Sequence, residues 1–189
     1  MNLPRASQQQ LARMAHQAAQ ALAAVRALGA DHAEVRIDHG LSLTATVRDG
    51  ALEQLSEAQS LGLALRVMVG GRVAAVTTSD LRPEALGLML ARAVELAQLA
   101  EEDWLAEPPS PRALARRWPE LDVFDASIAR LGADRASRLA QLAEAAARTA
   151  DPRIVASGGA VCSRSVNLSL LATSNTPPRP TRRTADRPC

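Results

Sequence analysis

The residue types able to hold a metal or activate a nucleophile are few in this chain, and they are scattered. Three histidines (His16, His32, His39), two cysteines (Cys162, Cys189) and one acidic run, Glu101-Glu102-Asp103, are the candidates. A zinc site on a helix needs donors three or four residues apart on one face. The neighbours of His16 at that spacing include Ala12 and Gln20, and neither binds a metal. His32 and His39 flank one short extended stretch, which sends them to opposite ends. All three are expected to be cap or surface residues. Cys162 has no histidine close in sequence and reads as an inert buried thiol, not a nucleophile. Gly70-Gly71 and Gly158-Gly159 lack the lysine, the glycine spacing and the strand-to-helix setting of a phosphate loop, so they read as turns. The acidic run reads as a solvated loop after a helix. On these grounds no catalytic, cofactor-binding or metal-ligating residue is assigned.

The elements that surround these residues are more legible than the chemistry. Leu11, Met14, Ala18, Leu22 and Val25 recur at helical spacing, which predicts a helix over 6–28 closed by Gly29. Ala33, Val35 and Ile37 alternate up to Gly40, and Leu41, Leu43, Ala45 and Val47 alternate with polar residues after it, predicting two strands. Asp49-Gly50 suits a type I′ hairpin turn, with a poorly alternating return strand over 51–58. Leu61, Leu63, Leu65, Val67 and Val69 alternate up to a second turn at Gly70-Gly71, and Val73, Ala75 and Thr77 carry the chain back. Tight turns make these strands an antiparallel meander. A helix follows over 80–100, with Pro83 in its first turn and Arg82 at the cap, where an arginine cannot accept the free amides. A third helix covers 133–149, with Leu139, Leu142, Ala143 and Ala146 on its core face. Two strands are expected over 154–162 and 166–171, reversing around Ser163-Arg164. The fold class predicted is α+β, an antiparallel meander sheet with about three helices packed mainly on one face.

The 189 residues bound this to one domain or two small ones, and 47% hydrophobic content supplies a core. Residues 1–175 form the expected domain. Within it, 101–125 is an ordered connector carrying all three aromatics, Trp104, Trp118 and Phe124. Residues 176–189 are expected to be a disordered tail, with four prolines and no apolar period. That tail holds four Arg against one Asp, a net +3, which leaves 18 Arg against 19 acids and a net −1 for the rest. The body is near neutral, so direct nucleic-acid binding is not expected. No run of eighteen apolar residues calls for a membrane, and a sparse cysteine count makes the reducing cytoplasm the expected location.

The order of features has a further meaning. The stretch Gly40-Leu-Ser-Leu-Thr-Ala-Thr-Val-Arg-Asp-Gly50, with Glu53 and Leu55 behind it, resembles the N-terminal hairpin of the TldD/PmbA family. Similar too are Leu28-Gly-Ala-Asp-His-Ala-Glu-Val35, the run from Ser60 through Arg72 to Leu86, Asp151-Pro-Arg-Ile154 and Leu171-Ala-Thr-Ser-Asn175. Glu101-Glu-Asp103 followed by Trp118-Pro-Glu-Leu-Asp-Val-Phe-Asp125 resembles the PmbA (TldE) arm more than the TldD arm. The resemblance implies cytoplasmic metallopeptidases, known as modulators of gyrase and in peptide maturation. In them a TldD-like subunit pairs with a PmbA-like subunit and acts on peptides or unfolded proteins. It places the zinc on a His-Glu-x-x-x-His helix and a later Cys of the TldD-like partner, and none of these maps to a residue here. Family members are more than twice this length. Thr176 begins the Pro/Arg tail where the family has Gly and an aromatic. The expectation is a truncated, non-catalytic PmbA-like fragment whose last residues are read out of frame. It would have apolar surface bared near Val166, Leu168 and Leu170. The alternative is a stand-alone α+β interaction module that recruits a partner through an exposed strand edge.

Overall fold

The computed structural model describes residues 5–106, 112, 124–174 and 183–186. Its elements run α1 (Arg5–Ala27), β1 (His32–Arg48), β2 (Ala51–Val69), β3 (Arg72–Thr78), α2 (Pro83–Leu99), a 3-10 turn at Trp104–Ala106, α3 (Ala126–Ala129), α4 (Ala133–Thr149), β4 (Ala160–Thr173) and β5 (Arg183–Asp186). The strand order is β3-β2-β1-β4-β5. This is the antiparallel α+β class that the turn chemistry implies. Asp49 and Gly50 both take positive φ (51° and 79°), as do Gly70 and Gly71 (56° and 74°), so both hairpins close through type I′ turns. After the second turn β3 pairs back on β2, from Val69↔Arg72 to Leu63↔Thr78.

Two compact units divide the chain. The first comprises Met1–His39, Ser60–Leu121 and Leu168–Arg182. Here α1 buries Leu11, Met14, Ala18, Ala21, Leu22 and Val25, the stripe its spacing predicts. A Schellman motif ends the helix: Gly29 donates to the Arg26 carbonyl and Ala30 to the Val25 carbonyl, both at 3.0 Å, with Gly29 at φ 98°. Helix α2 packs on β3 and against α1. Val35, Ile37, Leu63, Leu65, Val67 and Leu170 fill the core between helices and sheet. Val166, Leu168 and Leu170 are buried, which corrects the expectation that they form a bared apolar surface. The even-numbered face of β4 is the core face, so the apolar residues left exposed on this strand are Val161 and Leu171.

The second unit comprises Gly40–Gln59, Asp122–Asn167 and Arg183–Cys189. Its core joins Leu43, Ala45 and Val47 of β1 to Leu131, Ala136, Ala140 and Cys162. Phe124 at the end of the connector is buried, as expected. Trp118 lies outside the described residues. Four tail residues, Arg183–Asp186, form β5 beside β4. The other residues of 176–189 lie outside the described residues.

Three boundaries differ from the sequence reading, each for a physical reason. Gly40 does not break β1, and 51–58 and 61–69 are one strand, because nothing at Gly40 or Gln59-Ser60 imposes a positive φ. The reversal expected at Ser163-Arg164 is absent and β4 runs straight through it. Arg164 points its Nε at the Leu131 carbonyl (2.7 Å), so a polar residue sits on the core face without a turn. In α4 the buried residues are Ala136, Ala140 and Glu144, whereas Leu139 and Leu142 are exposed. The core face is set by small residues that let the helix approach the sheet, and by the carboxylate of Glu144.

Arg82 caps α2 with no side-chain hydrogen bond, as expected, and instead forks onto Asp80 through Nε (2.9 and 3.0 Å). Arg82→Ser supplies the missing acceptor and gives up only an exposed ion pair. The expected result is a thermal midpoint raised by about 2–3 °C, read by circular dichroism.

Candidate functional site

The structure brings together two of the sequence candidates, in the first unit. His32 at the start of β1 and Asp103 of the acidic run line a cleft of about 310 Å³ with Asp31, Met68, Gly71 and Ala106. Each carboxylate already has a backbone task. Asp31 Oδ2 accepts the Gly70 N–H at 2.7 Å and so braces the second hairpin turn. Asp103 Oδ1 accepts the Leu105 N–H at 3.0 Å, while its own N–H donates to the Gly71 carbonyl at 2.8 Å. Glu102 reaches Arg72 at 3.3 Å, and an isolated bridge pairs these two residues. The acidic run is thus a clasp that holds the chain after α2 onto the β2–β3 turn. These contacts are what the reading as a solvated loop did not anticipate.

The remaining candidates stay apart. His16 is exposed on α1. His39 is buried near the middle of β1, and burial lowers its pKa, so the ring is neutral at pH 7. Nearby, Asp38 accepts from the Ser169 hydroxyl and pairs with Arg36 at 2.8 Å. Cys162 is buried in the second unit's core. Among the described residues, no three of His, Cys, Asp and Glu come together in a way that could hold a metal ion. No described helix is long and apolar enough to cross a membrane.

The most developed polar constellation belongs to a residue the sequence reading passed over. Glu144 is almost fully buried, and its two carboxylate oxygens accept the N–H groups of Asp49 (2.8 Å) and Gly50 (2.7 Å). Gln141 Nε2 donates to the Gly50 carbonyl at 3.2 Å, and Arg148 pairs with Asp49 at 3.0 Å. Helix α4 therefore grips the first hairpin turn through three side chains one helical turn apart. The signal was present in the sequence: Glu144 continues the spacing of Ala136 and Ala140, and an Asp-Gly turn presents two N–H groups that need an acceptor. Glu144 and Gln141 are thus engaged with the backbone of the turn.

Residues 33–97 match the family pattern described as PmbA/TldA metallopeptidase domain 1. Residues 33–97 thus carry the pattern of that family's first domain. It is 30% identical over 129 residues to the metalloprotease PmbA of Escherichia coli O157:H7, an alignment that takes 68% of this chain and 28% of that protein. A metalloprotease of Methanocaldococcus jannaschii is 31% identical over 72 residues, 38% of this chain and 16% of its own. Among solved structures, one described as a modulator of DNA gyrase, from Bacteroides thetaiotaomicron, superposes with a TM-score of 0.80 at 21% identity, over 90% of this chain and 38% of that one. TldE from Thermococcus kodakarensis superposes with a TM-score of 0.73 at 14% identity, over 89% of this chain and 37% of that one. At those identities the solved structures establish the shared fold. The chain spans less than a third of the length of the curated PmbA/TldD relatives it matches and under two fifths of the solved ones.

Proposed function

We propose that this chain serves as the N-terminal domain of a PmbA/TldE-like subunit in a cytoplasmic, heteromeric metallopeptidase that acts on peptides or unfolded proteins. In this reading it is not catalytic by itself. A TldD-like partner carries the catalytic metal, zinc, and this domain contributes surface and architecture. The observation that carries the proposal is the 129-residue match to PmbA, a named metalloprotease. The resemblance of Glu101-Glu-Asp103 and Trp118-Pro-Glu-Leu-Asp-Val-Phe-Asp125 to the PmbA arm supports placing the chain on that arm. The assignment of the metal to a partner rests on the resemblance to the family, and a catalytic zinc there takes about three converging protein ligands.

The test is co-expression of the full chain with a TldD-like subunit from the same genome, followed by affinity capture and elemental analysis. Co-purification, with zinc present only when the partner is present, is the expected result. One tightly held zinc per chain in the isolated protein would overturn the assignment. Failure to capture the subunit under conditions where both are folded would remove the heteromeric reading.

A further inference from the structure

The first half of β2 departs from the other strands whose burial is described. Residues 51–60 are exposed without interruption, whereas β1 alternates between buried and open positions along most of its length. That pattern explains the poor alternation in the sequence: among the described residues, none buries either face. It also has a consequence for the strand's outer side. The β3 register begins at Leu63, so among the described strands residues 51–58 have β1 on one side and none on the other.

Proteins blunt such edges with charged side chains, lysine above all, with proline, or by keeping the strand very short. The segment Ala51-Leu-Glu-Gln-Leu-Ser-Glu-Ala58 holds no proline, no glycine and no basic residue, and its two charges, Glu53 and Glu57, are both acidic. Leu52 and Leu55 are 45% and 46% exposed. On one face the order is Glu53, Leu55, Glu57, and on the other Leu52, Gln54, Ser56, Ala58. Arg48 reaches Glu53 at 3.4 Å and Arg164 reaches Glu57 at 3.7 Å, both at exposed carboxylates. The segment's own charge is −2.

This pattern selects among occupants. A second copy pairing antiparallel about Leu55 would set Glu53 directly opposite the copy's Glu57, twice over, and like charges so placed destabilise a sheet. A strand with an apolar residue between two basic ones, each two positions away, meets Leu55 with its apolar side chain and both carboxylates with its charges. We propose that the open edge of β2, residues 51–58, accepts an added strand from an extended partner segment of the form basic-x-apolar-x-basic. Main-chain hydrogen bonds supply affinity and the Glu-Leu-Glu face supplies selectivity. The inference does not rest on the peptidase reading, and failure to capture a TldD-like subunit leaves it standing.

The experiment uses the full 189-residue chain and a fluorescein-labelled heptapeptide, Thr-Arg-Thr-Val-Thr-Arg-Thr, read by anisotropy and by hydrogen exchange. Saturable binding with new amide protection confined to 51–58 is expected. Replacing both peptide arginines with glutamate should weaken binding about five- to tenfold, as should the double variant Glu53→Gln/Glu57→Gln. N-methylation of alternate peptide amides, which blocks one edge of the added strand and leaves the charge unchanged, should abolish binding. The proposal is overturned by absence of binding, by an N-methylated peptide that binds equally well, or by protection elsewhere. It is also overturned if protection of 51–58 in the peptide-free chain rises with protein concentration, which would assign the edge to a second copy.

Discussion

Ala140→Asp is expected to unfold the second unit's helix from its sheet, whereas Leu142→Asp, two residues away, is expected to be nearly silent. Ala140 is 1% exposed and sits among Leu43, Ala45, Val47, Ala136 and Cys162. None of these side chains can pair with a carboxylate, so the introduced group must be buried without a partner or must push the helix off. Either outcome costs about 3 kcal/mol or more. Leu142 is 66% exposed, and an aspartate there changes stability by about 0.5 kcal/mol at most. Urea unfolding followed by circular dichroism separates the two. If Leu142→Asp were the damaging change, the helix would face the sheet through its leucines and not through Ala136 and Ala140.

That contrast marks where sequence reasoning worked and where it stopped. The limits of α4 were legible, because periodicity, Gly132 before it and Pro152 beyond it are local signals. Its inward face was not. Leu139, Leu142, Ala143 and Ala146 form a stripe as regular as Ala136, Ala140 and Glu144, and a larger apolar area favoured the leucines. What decides is long-range: two turn N–H groups some 95 residues back along the chain need the Glu144 carboxylate. The same division runs through the strands. The type I′ turns at Asp49-Gly50 and Gly70-Gly71 were fixed by residue type alone. The continuity of β4 across Ser163-Arg164 depended on a carbonyl at Leu131 that no local pattern announces. For the chemistry, the scatter of histidines and cysteines was readable directly from spacing. The clasp of Glu102 and Asp103 on the β2–β3 turn was not, since its two halves are brought together only by the fold.

The grip of α4 on the first hairpin turn should also govern how the protein responds to acid. The Glu144 carboxyl is held below the ordinary carboxylate range, first by the Gly50 N–H, then by the Ser157 side chain, with further help from the Asp49 N–H and the Arg148 charge. A carboxyl with a depressed folded pKa contributes stability that is fully present above its unfolded value of about 4.3 and is lost as pH falls through the folded one. Asp80, held down to about 2 by its hydrogen bonds to Arg82, and Asp151, lowered by Arg153, have the same sign. Both are exposed pairs two residues apart, a local arrangement that the unfolded chain also forms, so they add little to the difference between states. Buried neutral His39 resists charging on folding, so its contribution is present above its unfolded pKa, about 6.5, and falls away below it. Its loss therefore begins well before that of Glu144. The limb between about pH 5 and pH 3 is thus assigned to Glu144. At pH 7, Glu144→Ala should lower the thermal midpoint by about 5–10 °C, because two turn N–H groups lose their acceptor. Glu144→Gln keeps one acceptor oxygen and should fall less. Its urea midpoint should be nearly flat from pH 5 to pH 3, where the unsubstituted protein declines. An acid limb in Glu144→Gln as steep as that of the unsubstituted protein would show that other carboxylates carry it, and that the buried contact to the turn contributes packing without charge.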